Sequence, residues 1–171
     1  MLTLVIGGAG SGKSAFAEKL ICATGKQRIY LATMTAQDEE SLIRIEKHRK
    51  ARSGRAFTTI ECGTAISSVP VPAGANVLLE DLSNLLANEM FSPEGSGVDA
   101  VREGIRSIWA KCENLVLVTN EIFSDGVRYE GETLRYLKEL AELNREFAEA
   151  ADLVVEVVCG LPNVLKGSLP L

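Results

Sequence analysis

The residues with the clearest chemical potential form a glycine-rich run directly after a short apolar segment. Residues 7–14 fit the pattern Gly-x-x-x-x-Gly-Lys-Ser, in which backbone amides surround phosphate oxygens. Lys13 adds a positive charge toward the β- and γ-phosphates, and the Ser14 hydroxyl is placed to bind Mg²⁺. A helix beginning near Ser14 would direct its positive end at the same anion. The spacing therefore predicts a nucleotide-binding loop. Its predicted contact residues are Gly7, Gly8, Ala9, Gly10, Ser11, Gly12, Lys13 and Ser14.

Two acidic residues end a second apolar segment, residues 77–81. Acids at the carboxyl end of a parallel strand face the ligand crevice of an open α/β sheet. A phosphate-binding loop needs such a carboxylate near its Mg²⁺. We assign this role to Glu80, which would interact with either the metal or the acceptor hydroxyl. Because side chains alternate along a strand, we expect at most one of Glu80 and Asp81 to point inward. Asp81 or Ser83 is alternatively the cap of the next helix, and both interpretations hold together.

The only histidine of the chain, His48, directly precedes a basic segment, residues 49–55. An isolated surface histidine is usually a bystander, so its presence alone does not establish catalysis. The basic segment is either a solvated turn or a second set of phosphate-binding groups, and the charge pattern leaves both alternatives open.

Strand-like and helix-like segments alternate along the chain, which predicts a mostly parallel sheet with helices on both faces. With the phosphate-binding loop, this makes the predicted fold an α/β P-loop NTPase of the RecA-like type. Predicted strands follow the first one at residues 28–32, 57–61, 77–81, 115–121 and 152–158. Predicted helices follow the loop and occupy residues 37–52, 82–91, 98–111 and 130–151. In the last helix we expect burial of Leu134, Leu137, Leu140, Ala141 and Phe147, and we expect residues 160–171 to be irregular.

Length and composition limit the classes of function. The 171 residues are expected to form one domain, 1–171, and the net charge of −5 argues against nucleic acid as the main partner. The four cysteines lie far apart in the sequence, which predicts reduced thiols and neither a disulfide framework nor a zinc site. We find no export signal and no apolar run of membrane-spanning length, so we expect a cytoplasmic protein without a membrane span.

Several further segments, taken in order, point to one family. Besides residues 7–14 they are Tyr30-Leu31-Ala32-Thr33, Arg44-Ile45-x-x-His48-Arg49, Thr59-x-Glu61, Leu78-Leu79-Glu80, the strand ending in Thr119-Asn120-Glu121, and the last helix with Asn144. In this order the chain resembles the bifunctional adenosylcobinamide kinase / adenosylcobinamide-phosphate guanylyltransferase family of cobalamin biosynthesis. The resemblance covers nearly the whole chain, and the histidine segment is more specific than the phosphate-binding loop.

The resemblance implies two reactions in one active-site region. The enzyme phosphorylates the hydroxyl of adenosylcobinamide with ATP or GTP, and His48 then attacks the α-phosphate of GTP to carry GMP to adenosylcobinamide phosphate. Mg²⁺ is the implied metal, and a homotrimer with sites between subunits is the implied assembly. The implied catalytic residues are His48, Lys13 and Glu80. Beyond the loop, the implied nucleotide contacts are Ala32, Thr33, Met34, Arg49, Lys50, Ala51, Arg52, Glu61 and Glu80.

Two other functions compete with this interpretation. A small-molecule kinase on the same scaffold would lack guanylyl transfer, and His48 would then be incidental. A nucleotide-dependent switch would use the loop to control partner binding, but such switches usually carry an Asn-Lys-x-Asp base-reading motif. The chain has Asn120-Glu121 at the comparable strand end and lacks the lysine and aspartate.

Overall fold

A computed structural model describes residues 1–25, 27–35 and 57–169. Its strands are β1 (Leu2–Gly7), β2 (Arg28–Ala32), β3 (Phe57–Glu61), β4 (Asn76–Glu80), β5 (Asn114–Asn120), β6 (Leu153–Val158) and β7 (Leu161–Lys166). Its α-helices are α1 (Lys13–Cys22), α2 (Leu82–Phe91), α3 (Val98–Lys111) and α4 (Gly131–Ala150), and a short 3₁₀ helix spans Ile66–Ser68. Each predicted element that falls in these ranges is confirmed to within a residue or two. The predicted helix at residues 37–52 lies outside them.

The described strands form one sheet in the order β3-β2-β4-β5-β1-β6-β7. All neighbours are parallel except β6 and β7. The register places Gly7 beside Asn120, and Glu80 beside both Ala32 and Val118. Because the carboxyl ends of parallel strands share one edge, the loop after β1 lies on the same edge as the ends of β2, β4 and β5.

The core has two sides because strand residues alternate between the faces of the sheet. On one side, Leu4, Leu79 and Leu117 belong to a buried cluster that includes residues of α2, α3 and α4. On the other, Val5 and Val118 belong to a cluster that includes residues of α1. Helices therefore cover both faces, as the alternating pattern predicts, and the fold is an α/β P-loop NTPase of RecA-like type.

The tail is where the sequence-based prediction is wrong. Instead of an irregular segment, residues 161–166 form β7, antiparallel to β6. The two strands are joined by Cys159 and Gly160, whose φ angles of 50° and 79° are both positive, as a two-residue type I′ hairpin turn requires. The signal is weak in the sequence because every residue of β7 is exposed, so burial imposes no hydrophobic alternation, and because Pro162 fits only an edge strand.

A second correction concerns the first turns of α4. Leu134 is 37% exposed, whereas Leu140, Leu143 and Phe147 are buried. The helix contacts the core through its later turns, so the apolar spacing overestimates the buried stripe at its start.

Within the described ranges, no helix is both long enough and apolar enough to cross a membrane.

Candidate functional site

The phosphate-binding loop connects β1 to α1 through two left-handed glycines. Gly10 has φ of 70° and Gly12, the residue preceding α1, has φ of 91°, which is backbone conformation that other residues rarely adopt. Gly12 has no side chain to cap α1, and the first turn of the helix contains no acidic residue, although the Lys13 amide donates a long hydrogen bond of 3.4 Å to the Ser11 hydroxyl. The positive end of the helix is therefore available to an anion.

Lys13 lies inside this loop and is mostly buried, with 8% of its surface exposed. Its ammonium group donates a hydrogen bond to the Gly8 carbonyl, at 3.2 Å. Burial lowers the pKa of Lys13, and the negative charges of Asp81 and Glu80 oppose that shift. Both carboxyl groups are therefore in electrostatic range of the ammonium group.

Glu80 and Asp81 differ in surroundings. Glu80 is partly exposed and accepts a hydrogen bond of 2.7 Å from the Tyr30 hydroxyl. Asp81 is 8% exposed and begins α2 as its N-cap, accepting from the Asn84 backbone amide at 2.7 Å. Burial raises the pKa of Asp81, and hydrogen bonds from the Asn84 backbone amide and the Asn120 side chain oppose that rise. Asp81 thus performs the capping role that the sequence offers as an alternative, while also lying in range of Lys13.

Thr33, which directly follows β2, is hydrogen-bonded to the peptide that joins the two acids. Its hydroxyl donates to the Asp81 carbonyl at 2.8 Å and accepts from the Asp81 amide at 2.7 Å, and the peptide bond joining Glu80 to Asp81 is cis. Its own amide donates to the Glu80 carbonyl, and its carbonyl accepts from the Asn88 side chain. Thr33 is fully buried, and its hydroxyl and amide groups bond the backbone of the two acids.

Polar groups from β5 and α4 complete the edge. The Asn120 side-chain amide donates to Asp81 at 3.1 Å and to the Ser83 hydroxyl at 3.2 Å. The Tyr136 hydroxyl donates to the Ser83 carbonyl at 3.0 Å. Burial, with the nearby negative charge of Asp81, raises the pKa of Tyr136 to about 12, so the hydroxyl keeps its proton.

The other predicted site residues fall into two groups. Ala32, Met34 and Glu61 lie at the same sheet edge, at or just beyond the ends of β2 and β3, and Glu61 is exposed. His48, Arg49, Lys50, Ala51 and Arg52 lie outside the described residues. Their roles, like those of the remaining site residues, stay predictions.

Sequence reasoning missed the network around the two acids. Ser83 and Asn84 lie in α2, Asn120 ends β5 and Tyr136 lies in α4. The sequence suggests Ser83 only as an alternative helix cap, and it predicts none of the four as a partner of Asp81. The one usable signal was position, because Asn120 ends a predicted strand on the ligand edge. Side-chain pairing across separate elements leaves no spacing pattern in the sequence.

A cation at this edge would meet oxygen donors. Ser14 directly follows Lys13, whose ammonium group interacts electrostatically with the carboxyl groups of Glu80 and Asp81. Hydroxyl and carboxylate oxygens are ligands that Mg²⁺ accepts, so the residues present fit this ion. No cluster of three or more histidine, cysteine or acidic residues occurs in the described ranges, so a dedicated all-protein metal cage is absent there.

Comparisons with known proteins give a consistent result. A family model described as cobinamide kinase / cobinamide phosphate guanyltransferase matches residues 3–165. The bifunctional adenosylcobalamin biosynthesis protein CobP of Pseudomonas aeruginosa is 33% identical over 171 residues, which cover 98% of each chain. The bifunctional adenosylcobalamin biosynthesis protein CobU of Salmonella typhimurium is 33% identical over 185 residues, covering 97% of this chain and 100% of that protein.

Among solved structures, the flagellar accessory protein FlaH from Methanocaldococcus jannaschii aligns with a TM-score of 0.54. The alignment covers 99% of this chain and 81% of that chain at 15% identity. A likeness at such low identity concerns the fold alone.

Proposed function

Since the chain belongs to the cobinamide kinase / cobinamide phosphate guanyltransferase family, we propose that it phosphorylates adenosylcobinamide with ATP or GTP and then transfers GMP from GTP to the product. The observation that carries the proposal is Lys13 in electrostatic range of two carboxyl groups, in a chain that matches the family over residues 3–165. The substrates are small molecules, and no nucleic acid takes part.

The kinase step depends on placing a triphosphate, since the protein has little covalent chemistry to perform. The amides at the start of α1 and the ammonium group of Lys13 bind the phosphates. The cobinamide hydroxyl oxygen attacks the γ-phosphorus and gives up its proton to solvent, the bond from that phosphorus to its bridging oxygen breaks, and the nucleoside diphosphate leaves. Glu80 is our candidate to hold the attacking hydroxyl, because its carboxyl group is partly exposed at this edge and is oriented by Tyr30.

Mg²⁺, bound with the nucleotide, would neutralise charge on the phosphate oxygens. Ser14 and one of the two carboxyl groups, Glu80 or Asp81, are the residues proposed to hold it. The hydroxyl and carboxylate oxygens of these side chains are suitable Mg²⁺ ligands, which supports the proposal. The positive charge of Lys13 interacts with the same carboxyl groups.

The guanylyl step uses His48 as the nucleophile. A ring nitrogen attacks the α-phosphorus of GTP, a nitrogen–phosphorus bond forms, and pyrophosphate leaves as the bond between the α- and β-phosphates breaks. A phosphate oxygen of adenosylcobinamide phosphate then attacks the same phosphorus and releases the imidazole. Neutral imidazole is nucleophilic near pH 7, which suits it to this covalent role. Arg49 and Arg52 are the proposed phosphate ligands during the transfer.

Mass spectrometry of the protein incubated with GTP tests the covalent intermediate. We expect a GMP adduct that is lost in acid and survives base, as a phosphorus–nitrogen bond requires. It should form with label on the α-phosphate, be absent with label on the γ-phosphate, and be absent in His48→Ala. Phosphorylation of adenosylcobinamide should largely persist in that variant, because it needs no histidine intermediate.

Three outcomes would contradict parts of this proposal. Adduct formation in His48→Ala would move the nucleophile to another residue. No adduct in the wild-type protein, with GTP binding confirmed, would leave a kinase without guanylyl transfer. Nucleotide hydrolysis that is independent of adenosylcobinamide, with no phosphorylated corrinoid, would favour a nucleotide-dependent switch.

A homotrimer is the proposed assembly. Support comes from the family resemblance and from the exposed edge strand β7, on which Leu161 and Leu165 are 72% and 58% exposed. Edge strands with exposed apolar side chains are surfaces that proteins normally cover.

A further inference from the structure

Asn120 occupies a position between the phosphate-binding loop and the buried acid. As the last residue of β5, it pairs in register with Gly7, where the loop begins. The next amide along the chain, that of Glu121, donates to the Gly7 carbonyl at 3.0 Å. On the other flank of β5, the Asn120 side chain reaches Asp81 across the end of β4. One residue therefore touches both halves of the site.

The contacts of Asn120 fix the orientation of its amide group. Its Nδ2 donates to Asp81 Oδ2 at 3.1 Å and to Ser83 Oγ at 3.2 Å, and a carboxylate accepts hydrogen bonds but donates none. A flipped amide would place Oδ1 against that carboxylate. The Asn120 backbone amide donates to the same Ser83 hydroxyl at 3.0 Å, so Ser83 holds Asn120 at two points.

The Asp81 carboxyl group has more partners than a helix cap requires. One acceptor oxygen suffices for capping, and Oδ1 fills that role by accepting from the Asn84 backbone amide. The second oxygen, Oδ2, accepts from the side-chain amides of Asn84 and Asn120, each at 3.1 Å. A carboxylate this buried is costly to keep ionised, and hydrogen bonds to it favour the charged form. The bond from Asn120 is the one that comes from another strand.

We propose that Asn120 is a positioning residue for phosphoryl transfer. Its side chain holds the Asp81 carboxylate at a fixed place relative to the phosphate-binding loop and the metal–nucleotide complex bound there. The proposal rests on the kinase activity proposed above. Asn120 acts through Asp81 and does not itself bind substrate. Because β5 lies between β1 and β4, Asn120 at its end connects the strand that leads into the loop with Asp81.

The test measures metal binding separately from turnover. Mn²⁺ replaces Mg²⁺, and its affinity for the protein with a non-hydrolysable ATP analogue is read by electron paramagnetic resonance. Asn120→Leu keeps a side chain branched at Cγ, although a larger one, and removes both N–H donors of the amide. We expect it to weaken Mn²⁺ binding by about 10–100-fold, as loss of a hydrogen bond behind a metal-associated carboxylate does. Ser83→Ala, which frees Asn120 without touching Asp81, should change affinity in the same direction by a smaller factor.

Asn114→Ala is the matched control, since it removes an amide that bonds Asn76 at the opposite end of the same strand. It should leave Mn²⁺ affinity unchanged. Thermal unfolding of each variant separates positioning from general stabilisation. Wild-type Mn²⁺ affinity in both Asn120→Leu and Ser83→Ala, with or without a lower melting temperature, would overturn the proposal. Phosphorylation of adenosylcobinamide by the wild-type protein is assayed in parallel. Absence of this activity would refute the proposed kinase function, whereas the Mn²⁺ affinities would still test the role of Asn120.

Discussion

Lys13 is a positive charge buried next to two negative ones, and their balance depends on what is bound. Burial alone disfavours an ammonium group, while Glu80 and Asp81 favour it. The two carboxyl groups thus offset part of the effect of burial on the pKa of the lysine. Because triphosphate oxygens would add negative charge beside the two acids, we expect a metal–nucleotide complex to bind more tightly than a free nucleotide.

The lowered pKa of Lys13 leads to a pH dependence. The pKa lies below the ordinary value of 10.5, because burial is the largest cause and it favours the neutral amine. Affinity for phosphates should be retained at lower pH and should fall as pH rises through this lowered pKa, where the charge is lost. Titration of ADP binding by calorimetry across alkaline pH would measure the midpoint, which we expect below 10.5.

Lys13→Arg provides the control for that midpoint. A guanidinium group stays charged throughout the range, so the fall in affinity should move to higher pH even if overall affinity drops. An unchanged midpoint in Lys13→Arg would show that another group controls the alkaline fall.

At the scale of elements, the β6–β7 turn supports the phosphate-binding loop. The Gly160 amide donates to the Ser11 carbonyl at 2.8 Å, and a Cβ on Gly12 would stand 3.1 Å from the Gly160 Cα. Gly12 also has φ of 91°, where an alanine is strained. The phosphate-binding loop is thus connected to the end of β1 and hydrogen-bonded to the β6–β7 hairpin, which was not predicted from the sequence.

Gly12→Ala should therefore destabilise the protein by more than about 1 kcal/mol, the scale set by placing alanine at positive φ. Gly8→Ala is the matched control, because its added Cβ meets no atom within 4 Å and its φ is not in the left-handed region. Urea unfolding without nucleotide gives both free energies. Equal stability of the two variants would contradict the account of Gly12, and it would mean that the loop relaxes freely away from the hairpin.

The parts of the site that follow from local sequence could be predicted. The Gly-Lys-Ser spacing gives the loop, and the acids after an apolar run give Glu80 and Asp81 at the same edge, since parallel strands align their carboxyl ends. Alternation along the strand also predicts that at most one of the two acids points inward. Asp81, however, lies just beyond β4 as the cap of α2, and both acids affect Lys13 electrostatically. Strand alternation does not extend past the strand end.

What could not be predicted depends on contacts between distant segments. The two hydrogen bonds between Thr33 and the Asp81 backbone join residues 48 apart in sequence. The bond from Asn120 to Asp81 joins residues 39 apart. Such pairs form only after strand order is set, and the order β2-β4-β5-β1 is not encoded by any one segment. Polar residues at strand ends can be recognised in the sequence as candidate site residues, but the order of the strands in the sheet decides which of them come into contact.

At the scale of the molecule, β3 and β7 are the two edge strands of the sheet that the described ranges form. β7 therefore presents the backbone of an edge strand together with exposed apolar side chains. Val158, at the end of β6, adds to the same region with 53% exposure. This surface is continuous through the Cys159–Gly160 turn with the phosphate-binding loop, so covering it would also affect the surroundings of the nucleotide.

Light scattering after size-exclusion chromatography tests the proposed assembly. We expect a species with three times the chain mass of 18.4 kDa. It should dissociate only when the protein is diluted to low concentration. Leu165→Lys places a charge on the exposed β7 edge and should shift the population toward monomer, because burying an unpaired charge in an interface is costly. Val127→Lys, at a residue 58% exposed in the loop before α4, is the control and should leave the mass unchanged. A monomeric wild-type protein at the highest concentration would refute the trimer. A trimer unaffected by Leu165→Lys would instead show that subunits meet through another surface.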